Sequence, residues 1–309
     1  MSRTLIWPQP LRSGDRVQLA ATSSALEGGE VLERLAAGSA VLETWGLQVE
    51  RRPLQHRQWG YLAGTDEQRR HDLALANPEE QAEPAPLLAC LRGGWGAARL
   101  LERPLPLPAR WLLGFSDVTS LLWAQLAQGQ GGAVHGPLLT TLAAEPSWSQ
   151  ERLRRVLFGE ALPPLQGEGW INGCASGPLL VANLTVATHL LGTPHLPDLR
   201  GAVLVLEDVG EAPYRIDRML THWRLTGALG QLAAIGFGDF NGCDDQSGSD
   251  QPRDQAHRHL EQVLRERTGD LGIPVVAGLP VGHCSGNAAL PLGVEARLDG
   301  DSGSLEVLG

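Results

Sequence analysis

The chain has 309 residues, 42% of them hydrophobic, with a formal net charge of −10. That length suits about two domains with a sizeable core, and an acidic balance with no basic block argues against nucleic acid or an anionic membrane as partner, leaving small-molecule or peptide chemistry. The opening Met1-Ser-Arg-Thr-Leu-Ile-Trp-Pro8 lacks the apolar region of a secretory signal, and no later run is apolar enough to span a bilayer, so a cytoplasmic location is expected.

Short apolar runs at 17–21, 47–51, 87–91, 111–114 and 133–135 read as strands, with helical segments between them. Residues 29–45 carry a helical apolar period, and Thr65-Asp-Glu-Gln68 has the form of a capping box that opens the second helix. This alternation predicts a mostly parallel, Rossmann-like sheet with flanking helices over residues 1–142. In such a sheet ligands gather at the carboxyl ends of the strands, where Thr22-Ser-Ser24, Arg92-Gly-Gly94 and Ser116 fall. Between 143 and 168 the pattern dissolves into Glu-Pro, Pro-Pro and Gly-Glu-Gly, which reads as a linker despite an amphipathic stretch at 152–158. A second α/β domain is expected over 169–309: a strand at 201–206, a helix at 214–225, a strand at 233–237, a polar loop at 242–251, a polar helix at 253–267 and short β strands at 288–308.

The chemistry-bearing residues narrow the possibilities. Cys90, Cys174, Cys243 and Cys284 form no close pairs, which fits neither a disulfide framework nor a zinc knuckle, and no histidine–carboxylate cluster has metal-ligand spacing. No cofactor or metal is therefore expected. All 25 basic residues are arginine, which excludes a Walker phosphate loop, a Schiff-base lysine and a Ser–Lys dyad. Ser116 sits where the apolar run Trp111-Leu-Leu-Gly114 gives way to a helical run after Asp117, so it is either a plain helix N-cap or a nucleophile presented at a strand-to-helix turn. A nucleophilic serine needs a base, and His283, in the small-residue loop Val281-Gly-His-Cys-Ser-Gly-Asn287, is either a surface or hydrogen-bonding residue or the leading candidate for it, with His135 second. His222 reads as a packing residue, and His257 and His259 as solvent-facing. Glu207 ends an apolar strand, where an acid either caps the following turn or holds an imidazole in one tautomer; strand alternation turns Asp208 the other way. Arg92-Gly-Gly-Trp-Gly96 is either a plain turn or a loop bringing backbone N–H groups to a substrate.

These segments together resemble the LD-carboxypeptidases, serine peptidases that include murein tetrapeptide carboxypeptidases and microcin C immunity peptidases. The resemblance runs nearly end to end, through Tyr61-Leu-Ala-Gly-Thr-Asp66, Arg92-Gly-Gly-Trp-Gly96, Gly114-Phe-Ser-Asp117, His135-Gly-Pro137, Leu206-Glu-Asp-Val-Gly-Glu211, Tyr214-Arg-Ile-Asp-Arg-Met-Leu220 and Gly282-His283. It implies a triad of Ser116 as nucleophile, His283 as base and Glu207 as its orienter, with an oxyanion hole from the backbone N–H groups of Asp117 and of Gly93 or Gly94. It further implies a homodimer and, as substrate, a cytoplasmic murein tetrapeptide cut before its terminal D-amino acid during peptidoglycan recycling. Arg92 is the candidate for binding the terminal carboxylate. Two other readings stand beside this one: hydrolysis of microcin-like aminoacyl-adenylates, and a non-catalytic peptide-binding protein on the same fold. The chain departs from the family at Ala21-Thr-Ser-Ser24, where relatives usually carry proline, and at Val181-Ala182, where they usually carry two glycines.

Overall fold

A computed structural model describes residues 4–73, 84–244 and 253–308. The chain divides into two compact units. Unit 1 comprises Met1–Ala161, Pro194–Pro197 and Ser285–Gly293; unit 2 comprises Leu162–Thr193, Asp198–Cys284 and Val294–Gly309.

Unit 1 is built from β1 (Arg16–Ala20), α1 (Gly29–Thr44), β2 (Gln48–Val49), α2 (Asp66–Asp72), β3 (Leu87–Cys90), β4 (Trp111–Gly114), α3 (Thr119–Ala127), β5 (Ala133–His135), α4 (Leu139–Leu142) and α5 (Ser147–Phe158). The strands pair in parallel in the order β2-β1-β3-β4-β5, and Leu290–Pro291 adds an antiparallel edge beside β5. Strands covered on both faces read as continuous apolar runs, and β3, β4 and β5 are buried throughout. The order reverses between β1 and β3, a switch point at which the strand ends leave a crevice. The expected capping box is present: Gln68 N donates to Thr65 Oγ1 at 3.2 Å and Thr65 N to Gln68 Oε1 at 2.9 Å.

The division differs from the expected boundaries of 142 and 168. Residues 147–158 form α5, which belongs to unit 1 because it buries Leu153, Val156 and Leu157 there. Ser149 Oγ donates to the carbonyl of Asn287 at 2.7 Å and Arg152 Nε to that of Ala289 at 3.0 Å, so a returning C-terminal segment completes the helix's environment. Gly159, at φ 71, ends α5 in the left-handed conformation that glycine adopts without penalty.

Unit 2 contains β6 (Leu165–Gln166), β7 (Glu168–Ile171), β8 (Cys174–Asn183), α6 (Leu184–Leu190), β9 (Val203–Val209), α7 (Pro213–Leu225), β10 (Ala234–Asn241), α8 (Arg253–Thr268) and β11 (Val275–Ala277). After the Leu290–Pro291 edge strand of unit 1, which is β12, the chain ends in unit 2 as β13 (Glu295–Asp299) and β14 (Ser304–Val307). The sheet order is β6-β14-β13-β8-β9-β10-β11-β7, with β8 to β11 parallel and the flanks antiparallel. The expected C-terminal α/β domain with terminal β strands is thus present. Most of the polar loop expected at 242–251 lies outside the described residues.

Candidate active site

In unit 1 the geometry centres on Ser116. Phe115 leaves β4 extended, at φ −152. Ser116 then adopts φ 61, and it is the only non-glycine residue with positive φ among the described residues. Such a conformation costs on the order of 1–3 kcal/mol and persists where the surroundings over-determine it. Ser116–Val118 form a single 3₁₀ turn that runs into α3, so Ser116 occupies a strained strand-to-helix elbow. Glycine is required at 114 because a Cβ there would meet Val118 Cγ1 at 2.7 Å. The N–H of Asp117 stands in the first turn, where helix geometry provides no carbonyl partner and favours negative charge.

Glycine also stands beside the serine. A Cβ on Gly93 would lie 3.1 Å from both Cβ and Oγ of Ser116 and 3.7 Å from Asp117 N, so the backbone of Gly93 passes directly against the elbow. Gly94, at φ 106, turns its α-carbon towards Ser24 instead. Ser24 ties the two loops together: its N–H donates to the Gly93 carbonyl at 3.3 Å and its Oγ accepts from Trp95 N at 3.1 Å. Asp117 adds a second tie through Oδ2, which accepts from Ala97 N at 2.8 Å. Burial pushes its carboxyl up, against hydrogen bonds from Ser23 and from backbone N–H groups that favour the anion. Arg92 is half-buried, donates Nη1 to the Ala25 carbonyl at 2.8 Å, and forms no ion pair among the described residues. His135 is buried at the end of β5, edge-on to Phe115 with centroids 5.6 Å apart.

In unit 2 the geometry centres on Glu207. It is fully buried near the end of β9, in register with Asn183 of β8. Its Oε2 lies 2.6 Å from Nδ1 of His283. Gly282, at φ 116, makes that approach feasible, since a Cβ there would meet both Cβ and Oε2 of Glu207 at 2.7 Å. The loop is held from its other side by Asn241, whose Nδ2 donates to the His283 carbonyl at 3.2 Å. An imidazole donating Nδ1–H to a carboxylate carries its basic lone pair on Nε2. Burial pulls the His283 pKa down, but the hydrogen bond and charge of Glu207, with the charges of Asp208 and Asp239, outweigh it, and the net shift is upward. Complete burial also pushes the Glu207 carboxyl up, against the opposing pull of His283.

Asp208 faces the other way, as strand alternation requires. Its Oδ2 accepts from Thr185 N at 2.9 Å and Thr185 Oγ1 at 2.8 Å, and its Oδ1 from Asn183 Nδ2 at 3.1 Å and Val209 N at 2.8 Å. It therefore anchors the start of α6 to the strand that carries Glu207.

Sequence reasoning singled out Ser116, Glu207 and His283 but assigned no role to Ser24, Asn241 or the conformation of Gly282. A glycine immediately before the histidine was the one available signal. His222 departs from expectation: it is exposed, because α7 buries Pro213, Ile216, Leu220 and Trp223 on its other face. His259 is exposed as expected, while the side chain of His257 lies outside the described residues.

Comparison with known proteins matches residues 17–136 to the LD-carboxypeptidase N-terminal domain and residues 176–298 to the LD-carboxypeptidase C-terminal domain. A protein of Synechocystis sp. is 46% identical over 311 residues, spanning 100% of this chain and 99% of its own. The murein tetrapeptide carboxypeptidase of Pseudomonas aeruginosa is 36% identical, covering 93% of this chain and 94% of its own. Among solved structures, muramoyltetrapeptide carboxypeptidase from Oxalobacter formigenes superposes with a TM-score of 0.77 at 25% identity, covering 94% of this chain and 97% of that one.

Proposed function

The chain belongs to the LD-carboxypeptidase family, and from that premise we propose that it is a serine carboxypeptidase releasing the terminal D-amino acid from murein tetrapeptides, in the cytoplasm, during peptidoglycan recycling. The observation that carries this reading is the conformation of Ser116, the sole strained non-glycine residue among those described, at the helix end where a nucleophile is activated.

In this reading Ser116 Oγ attacks the carbonyl of the L-centred residue that precedes the terminal D-amino acid. His283 accepts the serine proton through Nε2 while Glu207 holds its Nδ1–H and offsets the imidazolium charge. The backbone N–H groups of Asp117 and Gly93 receive the developing oxyanion; Gly93 is preferred to Gly94 because its backbone lies against Ser116. One such donor is typically worth a hundredfold or more in rate. His283 then returns the proton to the departing amine, and water activated by the same imidazole hydrolyses the acyl-enzyme. Arg92 is assigned to the terminal carboxylate, for which a half-buried guanidinium without an ion pair is suited.

The test is mass spectrometry of L-Ala-γ-D-Glu-meso-diaminopimelate-D-Ala, and in parallel an aminoacyl sulfamoyl adenylate, after incubation with the protein and with Ser116→Ala. Release of D-alanine only with the intact serine supports the proposal. Cleavage of the adenylate alone replaces it with an immunity hydrolase, and cleavage of neither leaves a peptide-binding protein.

A further inference from the structure

Unit 2 holds a second feature that the triad chemistry does not use. Between α6 and α7 lies an open cavity of about 540 Å³, with Thr185, Thr188 and His189 on one wall and Arg215, Arg218 and His222 on the other. Its size falls in the range of small-molecule sites. Its lining sets two arginines against one glutamate, in a chain whose net charge is −10.

The two guanidinium groups differ. Arg215 is paired with Glu211, the one carboxylate of the lining, at 3.2 Å. Arg218 forms no ion pair among the described residues; it rests over the Tyr214 ring, 5.8 Å from the centroid, which orients it without neutralising it. A planar guanidinium so placed, with the His189 imidazole on the facing wall, matches the bidentate recognition of a carboxylate.

The cavity is also coupled to the candidate catalytic strand within the same unit. Thr185, on its wall, donates both N–H and Oγ1 to Asp208, the neighbour of Glu207. Glu211 lies on the loop that leads from the same strand into α7. A group bound here would sit on elements pinned to the strand that holds the imidazole.

We propose that the α6–α7 cavity, through Arg218, is the subsite for a side-chain carboxylate of the peptide, from either the iso-linked glutamate or the diaminopimelate. This rests on the murein-peptide reading above. It makes Arg218 a specificity-determining residue that acts on binding rather than on bond cleavage.

The experiment compares the protein with Arg218→Ala and Arg218→Gln on three tetrapeptides: the parent, one with isoglutamine in place of the glutamate, and one amidated on diaminopimelate. A lost charge-assisted pair corresponds to about a tenfold to hundredfold rise in KM, with kcat within about threefold. The same rise is expected for unmodified protein on whichever amidated peptide lacks the recognised group, and on that peptide the substitutions add nothing. An unchanged KM in both variants, or an equal rise on all three peptides, overturns the assignment. Calorimetric titration with glutarate separates this from the catalytic reading. If the unmodified protein cleaves no peptide yet binds glutarate, and Arg218→Ala abolishes that binding, the anion subsite stands and the carboxypeptidase reading fails. If glutarate does not bind either, both fail.

Discussion

Ser116 and His283 are positioned by different physics. In unit 1 the control is backbone: positive φ at Ser116, a glycine at 114 where a Cβ would collide, another at 93 packed closely against the serine, and loops stitched by Ser24 and Asp117. In unit 2 the control is side chain: a fully buried carboxylate 2.6 Å from an imidazole, with a glycine at 282 that lets the loop press on it. A nucleophile must be presented rigidly but need carry no charge before it reacts, so backbone strain suits it. A base must change its protonation state during the cycle, so it needs an electrostatic partner. Substitution of Ser116 should accordingly act on rate without moving a pH profile, whereas substitution of Glu207 should do both.

The largest effect is expected at Ser116. Its replacement by alanine should lower kcat by roughly 10⁴- to 10⁶-fold in a D-alanine release assay. Ser116→Gly should be equally inactive yet melt higher than Ser116→Ala, because glycine adopts φ 61 without the penalty of roughly 1 kcal/mol or more. Equal melting temperatures would remove backbone strain from the account of unit 1.

Glu207→Gln should come next, with a loss of about 10³- to 10⁴-fold, since an amide neither secures the tautomer nor offsets the imidazolium. On the proposed mechanism the base is neutral His283, so kcat/KM should fall as pH drops through the imidazole pKa, which Glu207 helps hold above its ordinary value. Without that carboxylate, burial, the largest single influence on the ring, is opposed by the charges of Asp208 and Asp239 but no longer by Glu207, so the acid limb of Glu207→Gln should move to lower pH. An acid limb that stays put would break the distinction between the two units.

Gly282→Ala should be intermediate. The added methyl meets Glu207 at 2.7 Å in a left-handed backbone, which should cost about 1–3 kcal/mol in denaturant melts. Displacing the imidazole should also reduce kcat, by up to about a hundredfold for a shift of an ångström. The smallest kinetic effect is expected for Asp208→Ala. Thr185, Asn183 and Val209 would lose their acceptor, which should cost about 1–3 kcal/mol of stability while kcat changes by less than about tenfold. A larger kinetic loss would mean that Asp208 shares the work assigned to Glu207.

Much of unit 1 was legible because its signals are local. Buried parallel strands leave continuous apolar runs, the capping box at Thr65 is read from two side chains three residues apart, and the Gly114-Phe-Ser-Asp117 break marks the elbow. The unlike facing of Glu207 and Asp208 followed from strand alternation alone. By contrast, the helix at 147–158 was hidden within an apparent linker. Its stability comes from burial against residues some 140 positions away in sequence.

By itself, then, the sequence determined most elements of unit 1, several of unit 2, the serine at a strand-to-helix break and, through its motifs, the family. Only the tertiary structure decided that Gly93 rather than Gly94 faces the serine, that Nδ1 of His283 meets Glu207 across 76 positions, and that residues 285–293 return to unit 1. The reason is physical. Periodicity and capping are written into neighbouring residues, whereas a hydrogen bond between distant segments depends on the burial that brings them together, and no local pattern encodes its partner.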